Sequence, residues 1–259
     1  MDADLITTLL NGLAVAYALM AAVWLLSTLA RNVGIIDIFW GICIAAVGIS
    51  FGAAQSEIDT RSRIVLALVL IWAIRLALHL LWRGWGEPED RRYRSMREKW
   101  NPGFWWKSLI IVFATQAGLA WIIALPLLGI TQSNKPLGIF DYAGLTLWFI
   151  GFLIEAVADF QLARFLRGPN RDEAVMNLGL WKYSRHPNYF GECCLWWGIY
   201  LIAFGAGAWW TIISPALLTF LILRVSGVTL TERTIGDRRP EYANYVRRTS
   251  AFLPRPPRD

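Results

Sequence analysis

Four long uncharged stretches constrain the fold of this chain more than any other feature of its sequence. They cover residues 5–30, 38–56, 108–134 and 193–223 of the 259 residues. A helix needs about 20 apolar residues to cross the ~30 Å hydrocarbon core of a bilayer, and each stretch is close to or above that length. Because 56% of the residues are hydrophobic, the chain is predicted to be an all-α integral membrane bundle.

The hydropathy pattern predicts seven membrane-spanning helices. They are placed at residues 5–30, 35–54, 63–83, 107–130, 140–163, 189–205 and 208–231. One helix over 189–231 would be about 65 Å long at 1.5 Å per residue, about twice the bilayer core. Gly205-Ala206-Gly207 is therefore expected to break it into a hairpin. The two hairpin spans are short, so a count of six stays open.

The basic residues predict the orientation of these spans. Of the 25 Lys and Arg, 21 lie at Arg31 or within 83–107, 164–187 and 224–259. Cytoplasmic loops carry an excess of Lys and Arg, so the N-terminus is expected outside and the C-terminus in the cytoplasm. The predicted cytoplasmic regions are the loops 84–106 and 164–188 and the tail 232–259.

Residues 1–259 are predicted to form a single multi-pass transmembrane domain, in a bacterial inner membrane rather than the endoplasmic reticulum. The basic residues are divided among three segments, which indicates topology and an anion site rather than nucleic-acid binding. The cysteines, Cys43, Cys193 and Cys194, all lie in predicted spans and have no metal-ligand spacing. We interpret them as small packing residues and expect no metal site.

Five ionisable residues stand out in the predicted spans, where charge is costly and marks candidate functional sites. They are Asp37, Arg75, His79, Glu155 and Asp159. Arg75 and His79 are four residues apart and share a helical face, as do Glu155 and Asp159. Structural explanations stay open beside functional ones, because Asp37 can stabilise a helix start and Arg75 can neutralise a buried acid.

The densest polar segment covers residues 179–192, with the sequence Gly-Leu-Trp-Lys-Tyr-Ser-Arg-His-Pro-Asn-Tyr-Phe-Gly-Glu. Proline is favoured at the first position of a helix, so a helix is predicted to begin at Pro187. Asn188 and Glu192 then lie a turn apart on one face of it. A guanidinium and an imidazole precede them, from Arg185 and His186. We call residues 179–192 the polar motif and interpret it as a site for a polar, anionic ligand.

Several common catalytic motifs are missing from the sequence. No G-x-G-x-x-G follows a strand, and neither G-x-x-x-x-G-K-[ST] nor H-E-x-x-H occurs. No G-x-S-x-G occurs either. The sequence therefore gives no support to a Rossmann site, a P-loop, or a local nucleophile.

Residues 183–192 of the polar motif resemble the signature of the steroid 5-alpha-reductase superfamily. Asn32–Gly41, Gly86–Tyr93 and Tyr242–Pro254 are similar to its bacterial DUF1295 branch, and the resemblance covers most of the chain. The Arg-His-Pro core is shared with sterol reductases and with isoprenylcysteine carboxyl methyltransferases, so it does not choose between NADPH and S-adenosylmethionine. The continuation Asn-Tyr-Phe-Gly-Glu favours the reductases.

The resemblance implies that NADPH enters from the cytoplasm and gives hydride to the β carbon of an enone, while an acid protonates the α carbon. Matching positions imply cofactor contacts at Glu155 (where relatives have Asn), Asp159, Arg164, Arg167, Asn188, Glu192, Arg224, and Arg247 or Arg248. The predicted cofactor set also includes Lys182, Tyr183, Arg185, His186 and Tyr245.

The substrate side departs from the family pattern. Steroid reductases have a Gln-Glu pair where this chain has Ile36-Asp37. If their third-span Arg matches Arg75, their Tyr three residues earlier is Trp72 here, which has no phenolic proton. Either Asp37, His79 or Tyr93 takes that role, or the substrate is not a 3-oxo-4-ene steroid. The predicted catalytic residues are Asp37, Arg75, His79 and Tyr93, and the predicted substrate contacts are Asp37, Trp40 and Trp72.

The leading prediction is NADPH-dependent reduction of a conjugated C=C bond in a lipophilic enone that enters from the membrane. Hydride addition makes an enolate-like species that needs a hydrogen-bond donor at the carbonyl oxygen. One alternative is an S-adenosylmethionine-dependent membrane methyltransferase. The other is a non-catalytic transporter or lipid-binding bundle.

Overall fold

A computed structural model describes residues 3–168, 174–225 and 241–258. Over these residues the chain is helical, without a β-strand, which confirms the predicted all-α class. The helices are α1 (Ala3–Ala30), α2 (Ile35–Ala53), α3 (Thr60–Gly84), α4 (Arg91–Trp100), α5 (Phe104–Thr131), α6 (Ile139–Leu166), α7 (Pro187–Ala206), α8 (Trp209–Val225) and α9 (Tyr242–Arg248). A π-helical turn, Leu109–Ala114, lies within α5, and a short 3₁₀ turn, Gly179–Lys182, precedes α7.

Six helices are long and apolar enough to cross a membrane: α1, α2, α3, α5, α6 and α7. They confirm six of the predicted spans and make the chain a multi-pass integral membrane protein. The seventh is present as the shorter apolar helix α8. Residues 226–231 of that predicted span lie outside the described residues, as do 169–173 of the predicted loop and 232–240 of the predicted tail.

The α7–α8 break falls where the sequence predicted it. Helix α7 ends at Ala206, and Gly207 follows with a φ of 100°, a left-handed conformation that glycine adopts without strain. At the other end, α7 begins at Pro187, as expected from the preference of proline for the first helical position.

The predicted loop 84–106 contains a helix that the sequence analysis missed. Helix α4 is capped by Asp90, whose carboxylate accepts a hydrogen bond from the Arg92 backbone N–H at 2.9 Å. Its polar composition is typical of a loop, although it contains neither Gly nor Pro.

The chain forms two compact units. The N-terminal unit comprises Met1–Pro136 with Ala206–Thr211, and the C-terminal unit comprises Leu137–Gly205 with Ile212–Asp259. In the N-terminal unit α2 packs against α1, α3 and α5. Its buried side chains include Ile44, Val47 and Phe51, each fully shielded from solvent. The prediction of one domain over 1–259 stays a prediction.

In the C-terminal unit, α6 and α7 approach closely through two pairs of glycines. A Cβ on Gly191 would lie 2.6 Å from the Gly151 carbonyl oxygen, and one on Gly198 would lie 2.7 Å from that of Gly144. Both separations are far below van der Waals contact, so only glycine permits this approach. The polar motif, which runs into α7, is thereby held against the acidic part of α6.

Candidate functional site

Two groups of predicted residues come together, one in each unit. In the N-terminal unit, Asp37 on α2 meets α4. Its carboxylate accepts a hydrogen bond from the Tyr93 hydroxyl at 2.6 Å and forms an ion pair with the Arg92 guanidinium, also at 2.6 Å. We call Asp37, Arg92 and Tyr93 the acid–phenol cluster. Asp37 accepts in both of these contacts.

Charge and burial perturb the groups around this cluster. Burial and the neighbouring Asp37 carboxylate raise the pKa of the Tyr93 phenol, which is 4% exposed. Burial alone would lower the pKa of Arg92, but the charge of Asp37 and the hydrogen bond to Asp90 raise it. Burial alone would raise the pKa of Asp90, but its hydrogen bond and charge contact with Arg92 lower it. Tyr93 is thus held as a neutral phenol against a carboxylate.

The other predicted residues of the N-terminal unit lie on α2 and α3. Arg75 and His79 are half-buried and one helical turn apart, as expected, and the His79 ring lies 6.5 Å from the Trp82 ring. Trp40 is half-buried. Trp72 is completely buried and packs near Gly41, which is the position of a core residue.

A second ion pair fixes the approach of α4. Glu89 accepts hydrogen bonds from the Arg97 guanidinium at 2.8 and 3.1 Å and from the Val33 backbone N–H at 2.8 Å. Because Val33 lies in the turn between α1 and α2, the segment before α4 is tied to the same turn that leads into Asp37.

In the C-terminal unit, the two acids of α6 are buried. Glu155 is 2% exposed and Asp159 is 5% exposed. The Asn188 side-chain amide donates to Asp159 Oδ1 at 3.1 Å, which joins the polar motif to α6. The Asn188 Oδ1 atom is buried and has no hydrogen-bond partner among the described residues. A buried acceptor without a donor is costly, so this position favours a ligand that brings an N–H or O–H group.

Some of the predicted cofactor residues are buried and contact other parts of the protein. His186 is buried and its ring stacks on Tyr189 at 5.5 Å. Arg185 is buried, and its Nη1 donates to the carbonyl oxygens of Val246 and Thr249 at 3.0 and 2.7 Å. The buried Tyr245 hydroxyl donates to the Trp181 carbonyl oxygen at 2.5 Å. Arg185 and Tyr245, predicted as cofactor contacts, therefore also bind protein carbonyls.

The remaining predicted cofactor residues lie nearer the surface of the C-terminal unit. Glu192 is half-buried on the first turns of α7. The exposed ones are Arg164, Arg167, Lys182, Tyr183, Arg224, Arg247 and Arg248. Arg164 lines a cavity of about 490 Å³ together with Gln161, Phe165 and Met176. This volume lies within the usual range of small-molecule pockets, about 300–1,000 Å³.

The described parts of the chain contain no group of three or more His, Cys, Asp or Glu that could hold a metal ion. Sequence reasoning missed two residues that the structure places at these sites. Arg92 was passed over within a run of arginines, although the Asp90 cap beside it marked a helix start. Ser184 was read only as part of the polar motif, but its hydroxyl donates to the Phe252 carbonyl oxygen at 2.8 Å.

The helices and the two polar clusters define the class of the protein as a multi-pass helical membrane protein with ionisable groups on its helices. A family model described as "Protein of unknown function (DUF1295)" matches residues 23–249. The chain therefore belongs to the DUF1295 family, which is part of the steroid 5-alpha-reductase-like superfamily. This confirms the resemblance carried by the polar motif.

The chain is also similar to uncharacterized protein C594.04c of Schizosaccharomyces pombe. The two are 26% identical over 280 residues, covering 94% of this chain and 79% of that protein. The similarity therefore extends over nearly the whole chain and is not restricted to the polar motif.

Proposed function

We propose that the protein is an NADPH-dependent reductase of the conjugated C=C bond of a lipophilic enone, such as a 3-oxo-4-ene steroid or a similar lipid. The observation that carries the proposal is the buried Asn188 Oδ1 atom, which lacks a donor among the described residues and lies beside Asp159. Membership of the steroid 5-alpha-reductase-like superfamily supports the reaction type.

The residues of the C-terminal unit fit a nicotinamide cofactor. The cofactor's carboxamide and ribose hydroxyls carry N–H and O–H groups. Asn188 Oδ1 and the carboxyl groups of the buried Glu155 and Asp159 can accept hydrogen bonds from them. The exposed guanidinium groups of Arg164 and Arg167 suit phosphates, which Arg binds with two parallel hydrogen bonds. When bound, NADPH supplies the hydride for the β carbon and leaves as NADP⁺, and a proton delivered to the α carbon completes the reduction.

In the N-terminal unit, the acid–phenol cluster supplies the donor that Trp72 does not. The Tyr93 phenol is neutral and hydrogen-bonded to Asp37, and its raised pKa keeps it protonated at physiological pH. A phenol has a single O–H, so Tyr93 would exchange Asp37 for the substrate carbonyl oxygen as its acceptor and there stabilise the negative charge that develops. The ion pair with Arg92 fixes the Asp37 carboxylate, which is the acceptor of the Tyr93 hydroxyl.

The first test is ligand binding to the full chain purified in detergent. We expect NADPH to raise the unfolding temperature more than NADH or S-adenosylmethionine, and NADPH to be oxidised only when an enone is added. Preferential stabilisation by S-adenosylmethionine would instead identify a methyltransferase. Absence of stabilisation by all three, with no enone-dependent oxidation, would point to a transporter or lipid-binding bundle.

Single substitutions separate the two roles. Asn188→Ala is expected to weaken NADPH binding about tenfold or more, since it removes a buried hydrogen-bonding group, whereas the exposed Asn134→Ala serves as the matched control. Tyr93→Phe is expected to leave the NADPH Kd unchanged and to lower turnover about 10²- to 10³-fold, the usual contribution of one hydrogen-bond donor to a developing oxyanion. Equal NADPH affinity for both Asn variants would remove Asn188 from the cofactor site.

A further inference from the structure

Residues 242–258, which we call the C-terminal segment, fold back on the polar motif. The Arg185 backbone N–H donates to the Ser250 carbonyl oxygen, and the Arg255 backbone N–H donates to that of Tyr183, both at 2.9 Å. The Phe252 ring meets Phe190 edge-on, with centroids 5.7 Å apart. The motif is thus bound to the end of the chain by hydrogen bonds in both directions and by an apolar contact.

Arg185 lies at the middle of this contact. It is 9% exposed, and its Nη1 donates to the carbonyl oxygens of Val246 and Thr249. These carbonyls belong to the end of α9, where the last turn of a helix leaves its oxygens without helical partners. A cation at that end also interacts favourably with the helix dipole. A phosphate could bind the same Nη1 only after these hydrogen bonds were released.

Ser184 connects this contact to the start of α7. Its hydroxyl is completely buried, accepts from the His186 backbone N–H at 3.1 Å and donates to the Phe252 carbonyl oxygen at 2.8 Å. The first turn of α7, which carries Asn188, is thereby fixed through Ser184 to the C-terminal segment. Loss of the segment would free the backbone that sets the distance from Asn188 to Asp159.

We infer that Arg185 is a positioning residue that holds the C-terminal segment as a latch on the polar motif, and that this latch keeps Asn188 in place to receive the cofactor. The inference rests on the proposed cofactor site. Residues 249–258 then raise the affinity for the ligand without contacting it directly.

The test compares four forms of the protein in detergent: the parent, Arg185→Ala, a chain truncated after Arg248, and the truncated chain carrying Arg185→Ala. The truncation keeps Arg247 and Arg248, which are themselves predicted cofactor contacts. Arg255→Ala is the charge-matched control, because its side chain is exposed and only its backbone takes part in the latch.

We expect Arg185→Ala and the truncation each to weaken NADPH binding about tenfold or more, because the binding-competent fraction falls when the latch opens. The combined loss in the double variant is expected to be smaller than the sum of the two single losses, since both changes disrupt one contact, of which the truncated chain keeps only the Val246 carbonyl. Arg255→Ala is expected to bind like the parent. If Arg185→Ala weakens binding and the truncation does not, Arg185 is a direct ligand and the latch is refuted.

Hydrogen exchange measures the latch without any cofactor. The amides of residues 183–190 are expected to lose protection together in Arg185→Ala and in the truncated chain, and to keep it in Arg255→Ala. Unchanged protection of this stretch in the truncated chain would overturn the inference even if NADPH binds. Conversely, a parent protein that shows the protection but does not bind NADPH would refute the proposed function and leave the latch intact.

Discussion

Replacement of Gly191 by alanine tests whether the close approach of α6 and α7 sets the geometry of the C-terminal cluster. The added Cβ would lie 2.6 Å from both the Glu155 backbone nitrogen and the Gly151 carbonyl oxygen. Ordinary van der Waals contact begins at about 3.4 Å, so the helices must separate by nearly 1 Å. Both opposing atoms belong to the backbone and cannot rotate away.

The expected cost follows from this geometry. Overpacking of a fitted interior costs about 1–3 kcal/mol, and the rigid backbone contact places Gly191→Ala toward the upper end. Alanine recovers about 1 kcal/mol relative to glycine in a helix interior, which leaves a net loss of about 2 kcal/mol in the free energy of unfolding. The same separation would stretch the 3.1 Å contact between Asn188 and Asp159 beyond hydrogen-bond length, so NADPH affinity should fall as well.

The assay is denaturant unfolding in detergent micelles, combined with NADPH titration. Gly118→Ala is the matched control, because this glycine also lies inside an apolar helix and its nearest neighbour would be the Tyr17 hydroxyl at 3.7 Å. The control is expected to be as stable as the parent or up to about 1 kcal/mol more stable. If Gly191→Ala behaves like Gly118→Ala, the close helix contact does not limit the fold and the reasoning is wrong.

Three further predictions concern the two clusters. In a double-mutant cycle of Asp37→Asn and Arg92→Met, the coupling free energy is expected to be about 1 kcal/mol, because both side chains are partly exposed. If the stability losses of the two single variants simply add in the double variant, the ion pair contributes nothing. Because folding raises the pKa of the Tyr93 phenol, this group contributes its full stabilisation below the ordinary phenol pKa of about 10 and loses it progressively as the pH rises further. The unfolding free energy of the parent should therefore fall relative to that of Tyr93→Phe between about pH 9 and 11. Parallel pH profiles of the two proteins would contradict this. Asn188→Asp would place a second carboxyl group against the buried Asp159 and should lower the unfolding temperature at pH 7 more than at pH 4. The exposed Asn134→Asp should not show this pH dependence.

Local chemistry made several parts of the fold predictable. Hydropathy located six spans, proline placed the start of α7 at Pro187, and a glycine that tolerates positive φ marked the break at Gly207. These features depend on a few adjacent residues. The same holds for Arg75 and His79, whose common face follows from their spacing alone.

Contacts between distant segments could not be predicted in this way. Arg92 is 55 residues from Asp37, and nothing in an arginine-rich stretch indicates which guanidinium will meet that carboxylate. Arg185 is separated from Thr249 by 64 residues, and the sequence predicted it to be a cofactor contact. The structure gives it backbone carbonyls as partners, which carry no signature in their side chains.

The contact of the polar motif with Ser250 and Phe252 has a consequence for biosynthesis. Translation delivers the motif well before the residues that bind Arg185 and Ser184, so a nascent chain carries the motif without its partners. The C-terminal unit can complete these contacts only when residues 249–255 have left the ribosome. A chain terminated before residue 249 would still contain its six long apolar helices, but it could not form the hydrogen bonds that join Ser184 and the Arg185 backbone to the end of the chain.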